Sequence, residues 1–252
     1  MTGMNRVLFA AWVAAIVVFL GLALGGAGDL VRLYYSNAVQ TLTAIGAGLL
    51  CFATMESFPK DSPVRKAWGF IGAGTVAWGI GSAIFAGYPL INAGAETPYP
   101  YFSDIGFLLT TPLIVAGLYI FRKEVGLELS TMGLALAIVL LVVGGYWGFV
   151  ANGDDLVGGP FLTKVTALGY MLADPVLLAM TALIATSFRG GAMGKAWLML
   201  LVGLVLFVIG NQVYAYLVSI EAYRTGSLWD LCWIVGFGLV GCGAVATRRL
   251  LT

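Results

Sequence analysis

Apolar runs of bilayer-spanning length recur from one end of this 252-residue chain to the other. A helix needs ~20 mostly apolar residues to cross a hydrocarbon core ~30 Å thick. Eight such runs are legible, at roughly 7–27, 38–56, 67–88, 104–121, 131–151, 166–188, 196–219 and 228–247. Lipid offers the backbone no water to bond, so each run is restricted to helix. The period-two alternation of a membrane barrel is absent. The expected fold is an all-α integral membrane protein. With 60% hydrophobic and 10% charged residues, no stretch is polar enough for a soluble domain or linker, and residues 1–252 read as one transmembrane domain.

The charges orient these helices. Arg6, Lys60, Arg65, Lys66, Arg122, Lys123, Arg189, Lys195, Arg248 and Arg249 fall at the two ends and in every second connection. Arg32, Lys164 and Arg224 fall on the other side, with Asp29, Glu96, Asp154, Asp155 and Glu221. Ten cations against three is a positive-inside bias. Both termini are therefore expected in the cytoplasm, with the eight helices paired as four hairpins. The first run follows Arg6 and ends in "GGAG", as in a signal peptide, but its length favours a retained helix. Of the connections, "FPKDSPVRKA" is basic and reads as a topology signal. The outer "PLINAGAETPYPYFSD" carries three prolines, which favour an extended path.

One frame is written twice. "GFLLTTPL" at 106–113 and "GYMLADPV" at 169–176 share Gly, aromatic, Leu and Pro at matching places, with Thr111 and Asp174 in equivalent positions. The fourth, sixth and eighth runs share a looser template that is aromatic in its first turns and apolar at its end, and Asp104 and Asp230 coincide at two of the doorways. These copies run in the same direction, which weighs against an inverted repeat. The 35 glycines often stand at short spacing, which lets helices approach closely. Gly236, Gly238 and Gly241 match GxGxxG spacing, but the dinucleotide fingerprint needs a preceding strand, so close packing is expected of them.

Several chemistries lack their residues. The chain has no histidine, hence neither the commonest general base nor the commonest metal ligand. Cys51, Cys232 and Cys242 have no metal-site spacing. Every lysine lies in a connection or at a helix end, which excludes a buried Schiff base. No Walker motif or nucleophile elbow occurs. No enzymatic activity, cofactor, metal or nucleic-acid partner is expected.

Asp174 is the exception to an apolar interior. An ionisable group inside a membrane segment points to a functional position facing the bundle. It lies eight residues past Thr166, hence ~12 Å along its helix, and Asn211 lies equally far before Ser219 in the next one. Gln212 adjoins Asn211, Thr110 and Thr111 sit at comparable depth, and Trp78 lies somewhat deeper. With Tyr170 of the repeated frame and Tyr214, they make a candidate ligand site: Asp174, Asn211, Gln212, Thr111, Trp78, Tyr170 and Tyr214. Such a site would be apolar in lining with a few orienting polar groups. A structural account competes with it. Pro112 and Pro175 each free a carbonyl in mid-helix, which Thr110, Thr111 and Asp174 would bridge, and Asn211 or Gln212 would make Asp174 a hydrogen-bonded strut. Asp104 and Asp230, beside Ser103 and Ser227, read as helix caps. Tyr99, Tyr101, Trp147, Tyr223 and Trp229 read as interfacial belt aromatics.

"GYMLADPVLL", "GLVLFVIGNQVYAYL", "GSLWDLCWIVGFGL" and "PYFSDIGFLLTTPLIVAGL" together resemble the multi-pass N-terminal sensory regions of bacterial diguanylate cyclases and sensor histidine kinases. The likeness spans about residues 67–247. In those regions the last helices run Tyr-Pro-(x)-Asp, then Gly-(x)-Asp-(x)-(x)-Tyr, then Asp-Leu-(x)-Trp. The resemblance carries Asp104, Asp174 and Asp230 over as acidic positions and Tyr214 as the aromatic. Asn211 stands where the pattern has aspartate, which keeps hydrogen bonding and drops a charge. It implies a prokaryotic cell-membrane sensory module, here without the cyclase or kinase domain.

Three readings follow. The first is a non-enzymatic sensory or binding module that takes an apolar or weakly polar ligand, or a lipid, into the outer half of the bundle and acts through a partner protein. The second is an accessory subunit of a larger membrane complex, or an oligomer, packed through glycine-rich faces. The third is a small transporter that uses Asp174.

Overall fold

The computed structural model describes residues 3–187 and 191–251. Arg189, counted above among the inner cations, and residue 188 at the end of the sixth run lie outside the described residues. The described residues contain eight α-helices and no strand. These are α1 (Gly3–Leu24), α2 (Asp29–Met55), α3 (Pro63–Ile91), α4 (Ser103–Val125), α5 (Thr131–Gly158), α6 (Phe161–Ala185), α7 (Gly191–Ser219) and α8 (Leu231–Arg249), the last preceded by a 3₁₀ turn at Leu228–Asp230. All eight are long and apolar enough to cross a membrane. The chain is a multi-pass membrane protein.

Local chemistry sets several ends. Pro63 opens α3 at a position where its missing N–H costs no helical bond. The Ser130 hydroxyl caps α5 by accepting the Gly133 N–H at 2.9 Å. Gly126 closes α4 in the left-handed region, with φ of 67°.

The largest departure from the hydropathy reading is α2, which begins at Asp29 rather than near 38. The segment "DLVRLYYSN" is too polar to register as apolar, yet Ser36, Asn37 and Gln40 are buried in the bundle. The expected extended path after α3 is also shorter than the sequence suggests. Pro89 lies inside α3, which continues to Ile91.

Six helices close a ring in the order α2, α3, α4, α6, α7, α8 and back to α2, each packed on the next. Helix α5 lies outside the α6–α7 seam and α1 outside the α2–α8 seam. Both show most of their apolar surface: only 6% of the spanning window of α1 and 17% of that of α5 is buried. Trp78 of α3 reaches across the ring, with its indole 4.7 Å from Phe237, 5.3 Å from Phe107 and 6.0 Å from Trp233 (ring centroids).

The seams are of two kinds. Between α3 and α4 the backbones touch through glycine: a Cβ on Gly106 would lie 2.4 Å from the Ala77 carbonyl oxygen, and one on Gly74 2.8 Å from that of Thr110. The three glycines in GxGxxG spacing also pack closely, each against a different helix: Gly236 on α7, Gly238 on Trp12 of α1 and Gly241 on α2. Other seams carry side-chain hydrogen bonds. Thr41 and Ser82 join α2 to α3 at 2.7 Å, and the Trp233 indole of α8 donates to Asn211 Oδ1 of α7 at 2.8 Å.

Candidate functional site

A cavity of about 660 Å³ occupies one end of the ring. Its walls come from all six ring helices and from the last turns of α5, and residues 97–99 and 219–221 form its rim. This is the end at which α2, α4 and α8 begin; the far end of α8 lies ~30 Å away at the helical rise.

The structure brings all seven residues singled out in the sequence to this one space: Trp78 from α3, Thr111 from α4, Tyr170 and Asp174 from α6, and Asn211, Gln212 and Tyr214 from α7. Asp174 is 3% exposed. Asn211 Nδ2 donates to its Oδ1 at 2.9 Å and Gln212 Nε2 to its Oδ2 at 2.8 Å. The carboxylate thus joins α6 to α7, and Asn211 passes the connection on to Trp233 of α8.

The prolines of the repeated frame are treated differently from the simple bridging account. Thr110 donates to the Gly106 carbonyl, not to the Leu108 carbonyl that Pro112 leaves without its helical donor. Asp174 accepts from α7 and plays no part in repairing its own helix. Helix α6 runs through Pro175, whose ring sits against Gly144 of α5, and Gly148 lies over the Met171 carbonyl that Pro175 leaves free.

Asp230 is not a cap. It is 0% exposed and forms the centre of a network: Ser36 Oγ (2.6 Å), Gln40 Nε2 (3.0 Å) and the Gly226 N–H (2.8 Å) donate to Oδ2, and the Tyr223 hydroxyl (2.8 Å) donates to Oδ1. It joins α8 to α2. Ser227, expected as its capping companion, has a buried hydroxyl without a partner. Asp104 combines two roles. One oxygen accepts the Tyr101 N–H just before α4, at 2.6 Å, and the other accepts the Tyr170 hydroxyl of α6. The three aspartates therefore each bind a neighbouring helix across a seam.

The belt aromatics divide. Trp229 is half exposed, as an interfacial residue would be. Tyr99 and Tyr223 line the cavity, Tyr99 from its rim while 44% exposed. Burial, reinforced by Asp155 and Asp104, raises the Tyr99 phenol above its usual range. Burial and then Asp230 do the same for Tyr223. Both phenols stay protonated donors at neutral pH.

Sequence reasoning missed Asn37, Gln40 and Ser82, which also line the cavity. A signal was present in "SNAVQ", where Ser36 and Gln40 stand four apart on one helix face. Comparisons of the chain with protein-family models, curated proteins and solved structures find no match, so the resemblance to the sensory regions rests on the short motifs alone.

Proposed function

We propose that this chain is a non-enzymatic binding module of the cell membrane, sensory in role, which admits a small amphiphilic molecule at the outer end of its helix ring and acts through a partner protein. One observation carries the reading: the cavity of about 660 Å³, open at one end and walled by aromatic rings together with carboxylate, amide and hydroxyl groups. That is the size and character of small-molecule sites. The cation bias supports an outward-facing cavity end and cytoplasmic termini. Asp174, Asn211 and Trp233 tie three helices at the cavity wall, so a molecule seated there bears on α6, α7 and α8 together.

Native mass spectrometry of the detergent-purified chain tests this. A bound small molecule is expected, and it should be lost when Ala173→Trp fills the cavity. An empty chain that carries a stoichiometric subunit would refute the receptor reading and establish the accessory role. The exposed faces of α1 and α5, outside the ring, are the surfaces such a subunit would use.

A further inference from the structure

The charges of the cavity do not balance. Asp104, Asp154, Asp155, Asp174 and Glu221 line it, and no lysine or arginine does among the described residues. Of the three cations at this end, Arg32 pairs with Asp29, Arg224 donates to backbone carbonyls of its own loop, and Lys164 is exposed on α6 and does not line the cavity. Asp104 and Asp174 are both buried, and their partners are neutral donors. A carboxylate taken into a low-dielectric interior needs a counter-charge or a proton, because amide and hydroxyl donors do not neutralise it.

Two further groups at the cavity have no hydrogen-bond partner among the described residues. Gln212 Oε1 is a buried acceptor without a donor. Asn37, only 5% exposed and lining the cavity, has an Nδ2 without an acceptor. The two aspartates belong to one patch of wall. Tyr170, which holds Asp104, stands one helical turn from Asp174 on the same face of α6, ~6 Å along the axis. Trp78, Phe107 and Trp233 bound the same space, and aromatic faces attract cations.

Resting on the binding-module reading and narrowing it, we propose that the cavity takes an organic amine in its ammonium form. The charged nitrogen sits at the Asp104–Tyr170–Asp174 wall with one N–H to Gln212 Oε1. An apolar body lies against Trp78, Phe107 and Trp233, and Asn37 donates to an oxygen elsewhere on the molecule. The exposed carboxylates of Asp154 and Glu221 at the rim raise the local concentration of cations. An ammonium with a nearby oxygen occurs both in free amines and in ethanolamine lipid headgroups.

The test uses the chain in dodecyl maltoside, an uncharged detergent, with three probes that share one body: 4-phenylbutylamine, 4-phenylbutan-1-ol and 4-phenylbutyrate. The amine should bind at least about tenfold tighter than the alcohol, and the acid more weakly than either. Added salt should weaken the amine through screening at the rim and leave the alcohol unchanged. Asp104→Asn, which retains one acceptor, and Asp154→Asn with Glu221→Gln, on the exposed rim, should each reduce the amine's advantage over the alcohol. Equal binding of amine and alcohol would overturn the inference while the binding-module reading stands. Binding of none of the three at millimolar concentration would overturn it too, and an empty chain in the mass spectrum would then remove both. Phosphatidylethanolamine that displaces the amine, where phosphatidylglycerol does not, places the ammonium on a lipid. Displacement by neither places it on a free amine. Equal displacement by both would show that acyl chains are recognised instead, against the proposal.

Discussion

Replacing Asp230 tests whether the seams of the ring are held by their carboxylates. In Asp230→Ala, four donors lose their acceptor. Three of them can redirect. Ser36 can turn its hydroxyl to its own helix, Gln40 keeps its bond to Ser36 at 2.8 Å, and Tyr223 can turn its hydroxyl toward the water-accessible cavity it lines. The Gly226 N–H is fixed by the backbone and cannot redirect. Membrane-protein hydrogen bonds average ~0.6 kcal/mol, and an orphaned buried donor costs ~1–2 kcal/mol. Together these give a loss of about 3 kcal/mol.

Asp230→Asn behaves differently. Its oxygen can take the place of Oδ2 and keep three donors, and its amide then faces the Tyr223 hydroxyl, which can accept. The remaining cost is the lost charge, about 1 kcal/mol. At roughly 2–4 °C per kcal/mol for a chain of this size, the alanine variant should unfold about 6–12 °C earlier and the asparagine variant only a few degrees earlier. Thermal unfolding read by a thiol-reactive dye, which reports the exposure of the fully buried Cys51, measures both. An alanine variant that melts with the wild type, or an asparagine variant that falls equally far, would refute the network account.

Asp174→Asn should fold normally because it keeps shape and one acceptor, whereas Asp174→Leu should lose ~1–3 kcal/mol by orphaning Asn211 and Gln212; the same melting assay separates them. Gly106→Ala should cost ~1–3 kcal/mol, since its methyl meets the Ala77 carbonyl of α3 at 2.4 Å. Gly46→Ala, in α2 with nothing within 4 Å of its added methyl, should be neutral or stabilising by up to ~1 kcal/mol. In a background without the native cysteines, Ala95→Cys should react with an impermeant maleimide applied to intact cells and Ala192→Cys should not. The reverse pattern would invert the orientation proposed from the cations.

Hydropathy suffices to find eight helices here because a bilayer leaves one backbone solution for an apolar run, and α5 and α7 needed nothing more. It failed at the start of α2, where a helix hides its polar face in a protein interior and composition alone looks like a loop. The aspartates show the same division. Asp174 was legible with both its partners, because Asp174 lies eight residues past Thr166 and Asn211 eight before Ser219, which puts the three side chains at similar depth from the outer ends of their runs. Asp230 was misread as a cap because its two helix partners, Ser36 and Gln40, lie on the second helix. Nothing local announces a contact across the chain. The carboxylates' lack of a counter-cation also became visible only once the ring had closed around them.

The closure has a consequence for how the chain is made. Ser36 and Asp230 meet across 194 residues of sequence, so a chain inserted from its N-terminus must hold the polar face of α2 without its acceptor until the last helix emerges. The earlier helices can pair in order, α3 on α2 and α4 on α3, but nothing encloses the central space until α8 docks against α2. Biogenesis therefore ends in one late step. A ribosome that stops before Gly226 would release not a smaller version of this module but an open arc of helices, in which Ser36 and Gln40 lack the acceptor that Asp230 provides.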